Sequence, residues 1–174
     1  SGSGDFRMEP DVLEYGFKFH MNDLNATIGL ANPAPLPRLL QACRENAAHF
    51  NEHLVQLPGV IALDALPMGT RSAYWLYTLR LTDGRRARFM EHMAAKGIVV
   101  SAVHQRNDVH SCVARFISLL PQLNMLADEI ICLPVGWWVG EAERERVVAA
   151  VRGFSATVET EIERALPEKR PKMI

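Results

Sequence analysis

The chain has 174 residues, 48% of them hydrophobic and 22% charged, a globular composition that excludes disordered, collagen-like and coiled-coil classes. Nineteen Lys and Arg against 20 Asp and Glu give a net charge of -1, so the sequence lacks the positive excess that points to nucleic acid. No apolar run approaches the roughly 20 residues of a membrane span, and no basic-then-apolar leader opens the chain. Cys43, Cys112 and Cys132 are an odd count at long spacing, which suits neither a disulfide framework nor a zinc site. Their apolar neighbours predict buried thiols, and a reducing cytoplasm is the expected compartment.

In chain order, Ser1-Gly2-Ser3-Gly4 reads as a flexible expression remnant, and residues 1–11 as a lead-in. Residues 15–21 alternate bulky with polar or small side chains, a period of two that predicts an extended stretch with one face packed. Asn22 or Asp23 then caps a short helix with an apolar stripe of Leu24, Ile28 and Ala31, closed by Asn32-Pro33. Pro35 and Pro37 suit the first turn of a second helix. Its stripe is Leu36, Leu39, Leu40, Cys43, Ala47, Phe50 and Leu54, and Pro58-Gly59 stops it.

A short strand is predicted at 60–63 and a longer one at 73–81, where Trp75, Tyr77, Leu79 and Leu81 share a face. Asp83-Gly84 turns the chain into a helix over 86–96, with Phe89, Met90 and Met93 inward and Gly97 at its end. Residues 98–103 read as a further strand, 123–129 as a short helix, and 130–134 as a buried strand. A long helix over 141–165 carries Val147, Val151, Phe154, Val158 and Ile162 on one stripe. The tail at 167–174 is polar and expected to fray. This order predicts an α+β domain, a small mixed or antiparallel sheet with helices packed on one side.

Familiar catalytic signatures (a Gly-rich phosphate loop, HExxH, GxSxG, paired CxxC) are missing from the sequence. His49 and His53, four apart on a helix, have a chelating spacing but no third ligand, and read as half-exposed helix histidines. The segment His104-Gln105-Arg106-Asn107-Asp108-Val109-His110 is polar and follows a predicted strand, a common position for a binding loop. From the residues alone it is equally a solvated loop.

The run Gly16-Phe17-Lys18-Phe19-His20-Met21-Asn22-Asp23-Leu24-Asn25-Ala26-Thr27-Ile28-Gly29-Leu30 resembles the motif that opens the C-terminal part of DegT/StrS-type sugar aminotransferases. These are fold-type I enzymes that use pyridoxal 5'-phosphate on nucleotide-linked keto-sugars. Three further stretches agree in order. They are Ser72-Ala73-Tyr74-Trp75-Leu76-Tyr77, Lys96-Gly97-Ile98 leading to Val103-His104, and Leu126-Ala127-Asp128-Glu129-Ile130-Ile131-Cys132-Leu133-Pro134-Val135. The resemblance spans residues 12 to 153.

The resemblance implies a C-terminal small domain over 12–166, with the arm motif at 15–32 reaching across a homodimer. It implies that Lys18 meets the cofactor phosphate in the neighbouring subunit, with His20 beside it. The family commonly has Asn in place of Lys18 and Arg in place of His20; an ammonium still serves as a point-charge partner for phosphate. His104, Arg106 and His110 would line the nucleotide-sugar side, although Gln105-Arg106-Asn107 departs from the family's aromatic and prolines. An amino donor is the other implied substrate.

None of the four lysines (Lys18, Lys96, Lys169 and Lys172) occupies a position matching the family's catalytic lysine, which lies in a larger N-terminal domain. The expectation is therefore a chain that does not transaminate alone. The alternatives are a freestanding α+β binding or assembly module, or the same domain of a sugar dehydratase of this family. Neither nucleic acid nor membrane is an expected partner.

Overall fold

The computed structural model describes residues 11–18, 21–32, 34–63, 68–102 and 106–165. The helices are α1 (Asp23–Ala31), α2 (Leu36–Leu54), α3 (Arg86–Ala95), α4 (Pro121–Glu129) and α5 (Glu141–Ala165). The strands are β1 (Val60–Ala62), β2 (Tyr77–Leu81) and β3 (Ile130–Leu133), in the sheet order β1-β2-β3 with both pairings antiparallel. The expected α+β layer is present.

Register decides which residues meet the helices. Leu81 sits opposite Val60, Leu79 between Ala62 and Ile131, and Tyr77 opposite Leu133. Because side chains alternate across a strand, this set forms one face of the sheet. It packs on Phe50 and Leu54 of α2, Phe89 and Met93 of α3, and Val147, Val151, Phe154 and Val158 of α5. Full burial of side chains of this size contributes about 1.5–3 kcal/mol each. Edge-to-face ring pairs join the layers, Phe50 with Tyr77 and Phe89 with Phe154, each at 5.1 Å. Thr78, Arg80, Ile61 and Cys132 belong to the opposite face, where the Thr78 hydroxyl lies 3.6 Å from the Cys132 sulfur. Cys132 is buried, Cys43 and Cys112 are half-buried, and the three form no disulfide.

Helix boundaries follow local chemistry. The Asn22 side chain accepts a hydrogen bond from the Asn25 N–H at 2.9 Å and so caps α1. Pro37 lies in the first turn of α2, where its missing N–H is harmless. α2 ends at Leu54, a turn before Pro58-Gly59. α3 closes through Gly97, whose φ of 69° lets its N–H reach the Ala94 carbonyl and the Ile98 N–H reach Met93. Gly59 combines φ +75° with an approach so close that an added Cβ would lie 2.8 Å from Val158. Val158 is fully buried and has nowhere to move. Gly59→Ala should therefore destabilise the fold by about 1–3 kcal/mol, read as a lowered urea midpoint; an unchanged midpoint would show that the contact relaxes freely.

Three expectations need correction. The strand predicted from residue 73 starts at Tyr77. Tyr74 takes a positive φ of 47°, its N–H bonds to the Ser72 hydroxyl, and Arg44 of α2 holds the Ser72 carbonyl. That turn breaks the alternation, and Trp75 is exposed. The strand predicted over 98–103 is, among the described residues, a single bridge between Ser101 and Cys132. The Ile98 N–H is already committed to the α3 terminus. Lastly, the bulky residues of the arm, Tyr15, Phe17 and Met21, are exposed, as are Leu24 and Ile28 of α1. Among the described residues none of the arm or of α1 is buried, so the face marked by periodicity finds no cover there. Val103, the 167–174 tail and most of the 1–11 lead-in lie outside those residues.

Candidate functional site

The base of the arm and the polar loop meet in space through residues 98 to 100 apart in sequence. Residues 106–116 fold into two 3₁₀ turns, Asn107–Val109 and Ser111–Phe116. Four hydrogen bonds tie them to the base of the arm. The Asp11 carboxylate accepts from the Ser111 N–H at 2.8 Å and from the Ser111 hydroxyl, capping the second turn as an N-cap side chain would. The Cys112 N–H donates to the Val12 carbonyl at 3.0 Å. The Val12 N–H donates to His110 Nδ1 at 3.3 Å. His110 is one of the few buried polar side chains, and Asp11 lies 3.8 Å from it. The hydrogen bonds from Ser111, chiefly the hydroxyl's, hold the Asp11 carboxyl below its ordinary pKa.

Arg106 precedes the first turn and is fixed in orientation. Its Nε donates to Asp108 Oδ1 at 2.8 Å, a second N–H reaches the other Asp108 oxygen, and a third meets Asn124 of α4. Such a fork is geometrically specific, and it lowers the Asp108 pKa chiefly through the hydrogen bond. Beside it runs a groove of ≈370 Å³ between the loop and α4, lined by Arg106, Asp108, Leu123, Leu126, Ala127 and Ile130. At the far end of the arm Lys18 is exposed, with no hydrogen bond or ion pair recorded among the described residues. Of the residues marked by the sequence, His20 and His104 lie outside the described residues. Arg106 and His110 share one loop, and the base of Lys18's arm is bound to it.

Elsewhere, His49 and His53 stand edge to face at 4.4 Å, with Glu145 3.1 Å from His49 and Arg152 3.2 Å from His53. Among the described residues no group of three or more His, Cys, Asp or Glu could hold a metal ion, and no helix is long and apolar enough to cross a membrane. The sequence reading missed two organising residues. Asp11 fell in the discarded lead-in, and its partner is 100 residues away. Asn46 of α2 is buried and donates to the Val135, Gly136 and Val139 carbonyls. An amide set beside the apolar stripe of α2 was the available signal.

An α+β layer with an exposed apolar arm in front of it is the architecture to be matched. The chain belongs to the DegT/DnrJ/EryC1/StrS aminotransferase family, whose family model matches residues 3–152. It is similar in structure to the sugar aminotransferase CalS13 of Micromonospora echinospora (TM-score 0.71, 37% identity), covering 80% of this chain and 37% of that one. AtS13 of Actinomadura melliaura is similar at TM-score 0.70 and 41% identity, over 88% of this chain and 40% of that one. In sequence, 90 residues are 29% identical to a dTDP-4-dehydro-2,3,6-trideoxy-D-glucose 4-aminotransferase of Saccharopolyspora spinosa, 52% of this chain and 23% of that protein. The chain thus spans well under half the length of these relatives.

Proposed function

We propose that this chain is the C-terminal part of a pyridoxal-phosphate aminotransferase acting on a nucleotide-linked keto-sugar, within a homodimer. The observation that carries the reading is the arm: apolar, exposed, and tipped by an ammonium with no partner recorded among the described residues. Exposed apolar surface of this extent marks an interface. Lys18 fits the cofactor's phosphate as one charged contact of several, with His20 two residues further along the chain. When bound, pyridoxal phosphate supplies the electron sink and the carbonyl that exchange of an amino group requires.

This chain's own residues serve to bind and orient. Lys18 neutralises phosphate charge from the neighbouring subunit. The loop at 104–110 lines the nucleotide-sugar side, where Arg106, pre-aimed by Asp108 and Asn124, offers a planar donor to a diphosphate. His104 and His110 flank it in sequence. Proton transfer and covalent attachment of the cofactor fall to a lysine in the part of the enzyme that precedes this domain.

The test completes the domain with the N-terminal portion of the Micromonospora relative and measures affinity for pyridoxal phosphate. Lys18→Ala should weaken it about tenfold, the size of one charge-assisted hydrogen bond. Unaltered affinity would remove Lys18 from the cofactor site.

A further inference from the structure

We propose that Asp11 and His110 are positioning residues that clamp the base of the arm to the 106–116 loop, so that arm and loop move as one unit. The proposal rests on the role assigned above to Lys18 and explains how an exposed arm is aimed. Two elements with separate expected tasks, the cofactor phosphate and the sugar nucleotide, are joined by side-chain and backbone bonds in both directions. Asp11 and the Val12 carbonyl accept from Ser111 and Cys112, while His110 accepts from Val12.

The contacts are built rather than incidental. His110 is buried, and its Nδ1 is an acceptor here, so the ring's proton sits on Nε2. Burying an imidazole nitrogen is tolerated because it has a partner, and that partner is the arm's own backbone. Asp11 satisfies the Ser111 N–H at the start of the second 3₁₀ turn, a donor with no partner inside that turn. From Val12 to Lys18 the chain spans at most about 20 Å when fully extended. The clamp therefore keeps Lys18 within that distance of a fixed origin. Whatever shifts the loop, a substrate pressed against Arg106 included, shifts that origin. Coupling of this kind is reciprocal, so occupancy at the arm tip also biases the loop.

The experiment uses the 174-residue chain without cofactor, as wild type, Asp11→Ala and His110→Gln, and follows amide hydrogen exchange with ¹⁵N relaxation. The informative amides are Val12 and Cys112, because neither bonds to Asp11. In Asp11→Ala both should exchange roughly tenfold faster, the consequence of losing about 1.4 kcal/mol of local closure. The order parameters of residues 13–18 should fall while the β2 amides keep their protection. Faster exchange at Ser111 alone, with Val12, Cys112 and residues 13–18 unchanged, would overturn the clamp. A role in general stability would instead speed β2 exchange in step with the arm, which also counts against it. Should His110→Gln disturb the fold, Asp11→Ala still decides, since the Asp11 side chain is about half exposed. The readout needs no cofactor, so a failed clamp is distinguishable from a failed assignment of Lys18.

Discussion

Phe154→Ala should remove about 3–5 kcal/mol of stability, the usual loss for a buried phenylalanine. Its ring stands edge to face against Phe89 at 5.1 Å and against His92 at 5.6 Å. It lies on the buried stripe that joins α5 to the sheet. His92 in turn bonds to the Ala150 carbonyl at 2.9 Å, so the cavity would open beside a polar tie between α3 and α5. Domains of this size hold only about 5–15 kcal/mol, so this loss is a large share of the total. The control is Ile162→Ala, one turn beyond Val158 on the same stripe but 42% exposed, which should cost less than about 1 kcal/mol. Urea denaturation of both variants checks the contrast, and equal losses would show that the core is not where the packing places it.

Asn46→Ala is the second large effect, expected at roughly 2–3 kcal/mol. The Asn46 amide, 2% exposed, donates to three carbonyls, Val135 at 3.2 Å, Gly136 at 3.0 Å and Val139 at 3.1 Å. Its oxygen accepts from Arg144 at 3.3 Å. One side chain on α2 thus folds the loop between β3 and α5, which holds Trp137 and Trp138 exposed, edge to face at 5.9 Å. Truncation removes this donor from the buried Val135 and Val139 carbonyls, while the Gly136 carbonyl keeps the Val139 N–H at 3.0 Å. Asn46→Asp keeps the shape but replaces the donor with an acceptor facing carbonyl oxygens, and should be at least as damaging. Thermal unfolding of the two variants measures this. An Asn46→Asp variant as stable as wild type would mean that shape, not donation, is what the loop uses.

The elements that sequence periodicity located well are those whose partners lie inside this chain. The α2 and α5 stripes became the core against β2 because Phe50, Leu54, Val151 and Phe154 meet Tyr77 and Leu79. The β2 start was misread because Ser72 and Arg44 impose a turn at Tyr74, a contact 28 residues away in sequence that alternation cannot register. The arm shows a different limit. Periodicity marks Tyr15, Phe17 and Met21 as wanting cover but does not say whose surface supplies it. The clamp was illegible for a third reason. Asp11 and Ser111 are each unremarkable, and only the fold makes one cap the other. The motif around Lys18 conveyed the family; the pairing of Arg106 with Asp108 and the burial of His110 had to come from coordinates.

On the proposed function, this domain contributes to a cofactor site without housing the reaction. The most direct measurement of that claim is a pyridoxal-phosphate titration of the chain alone, followed by absorbance near the visible edge. The proposed function predicts no saturable band from lysine-bound cofactor at micromolar concentrations. A saturable band abolished by Lys18→Ala would contradict the claim and make Lys18 the point of covalent attachment.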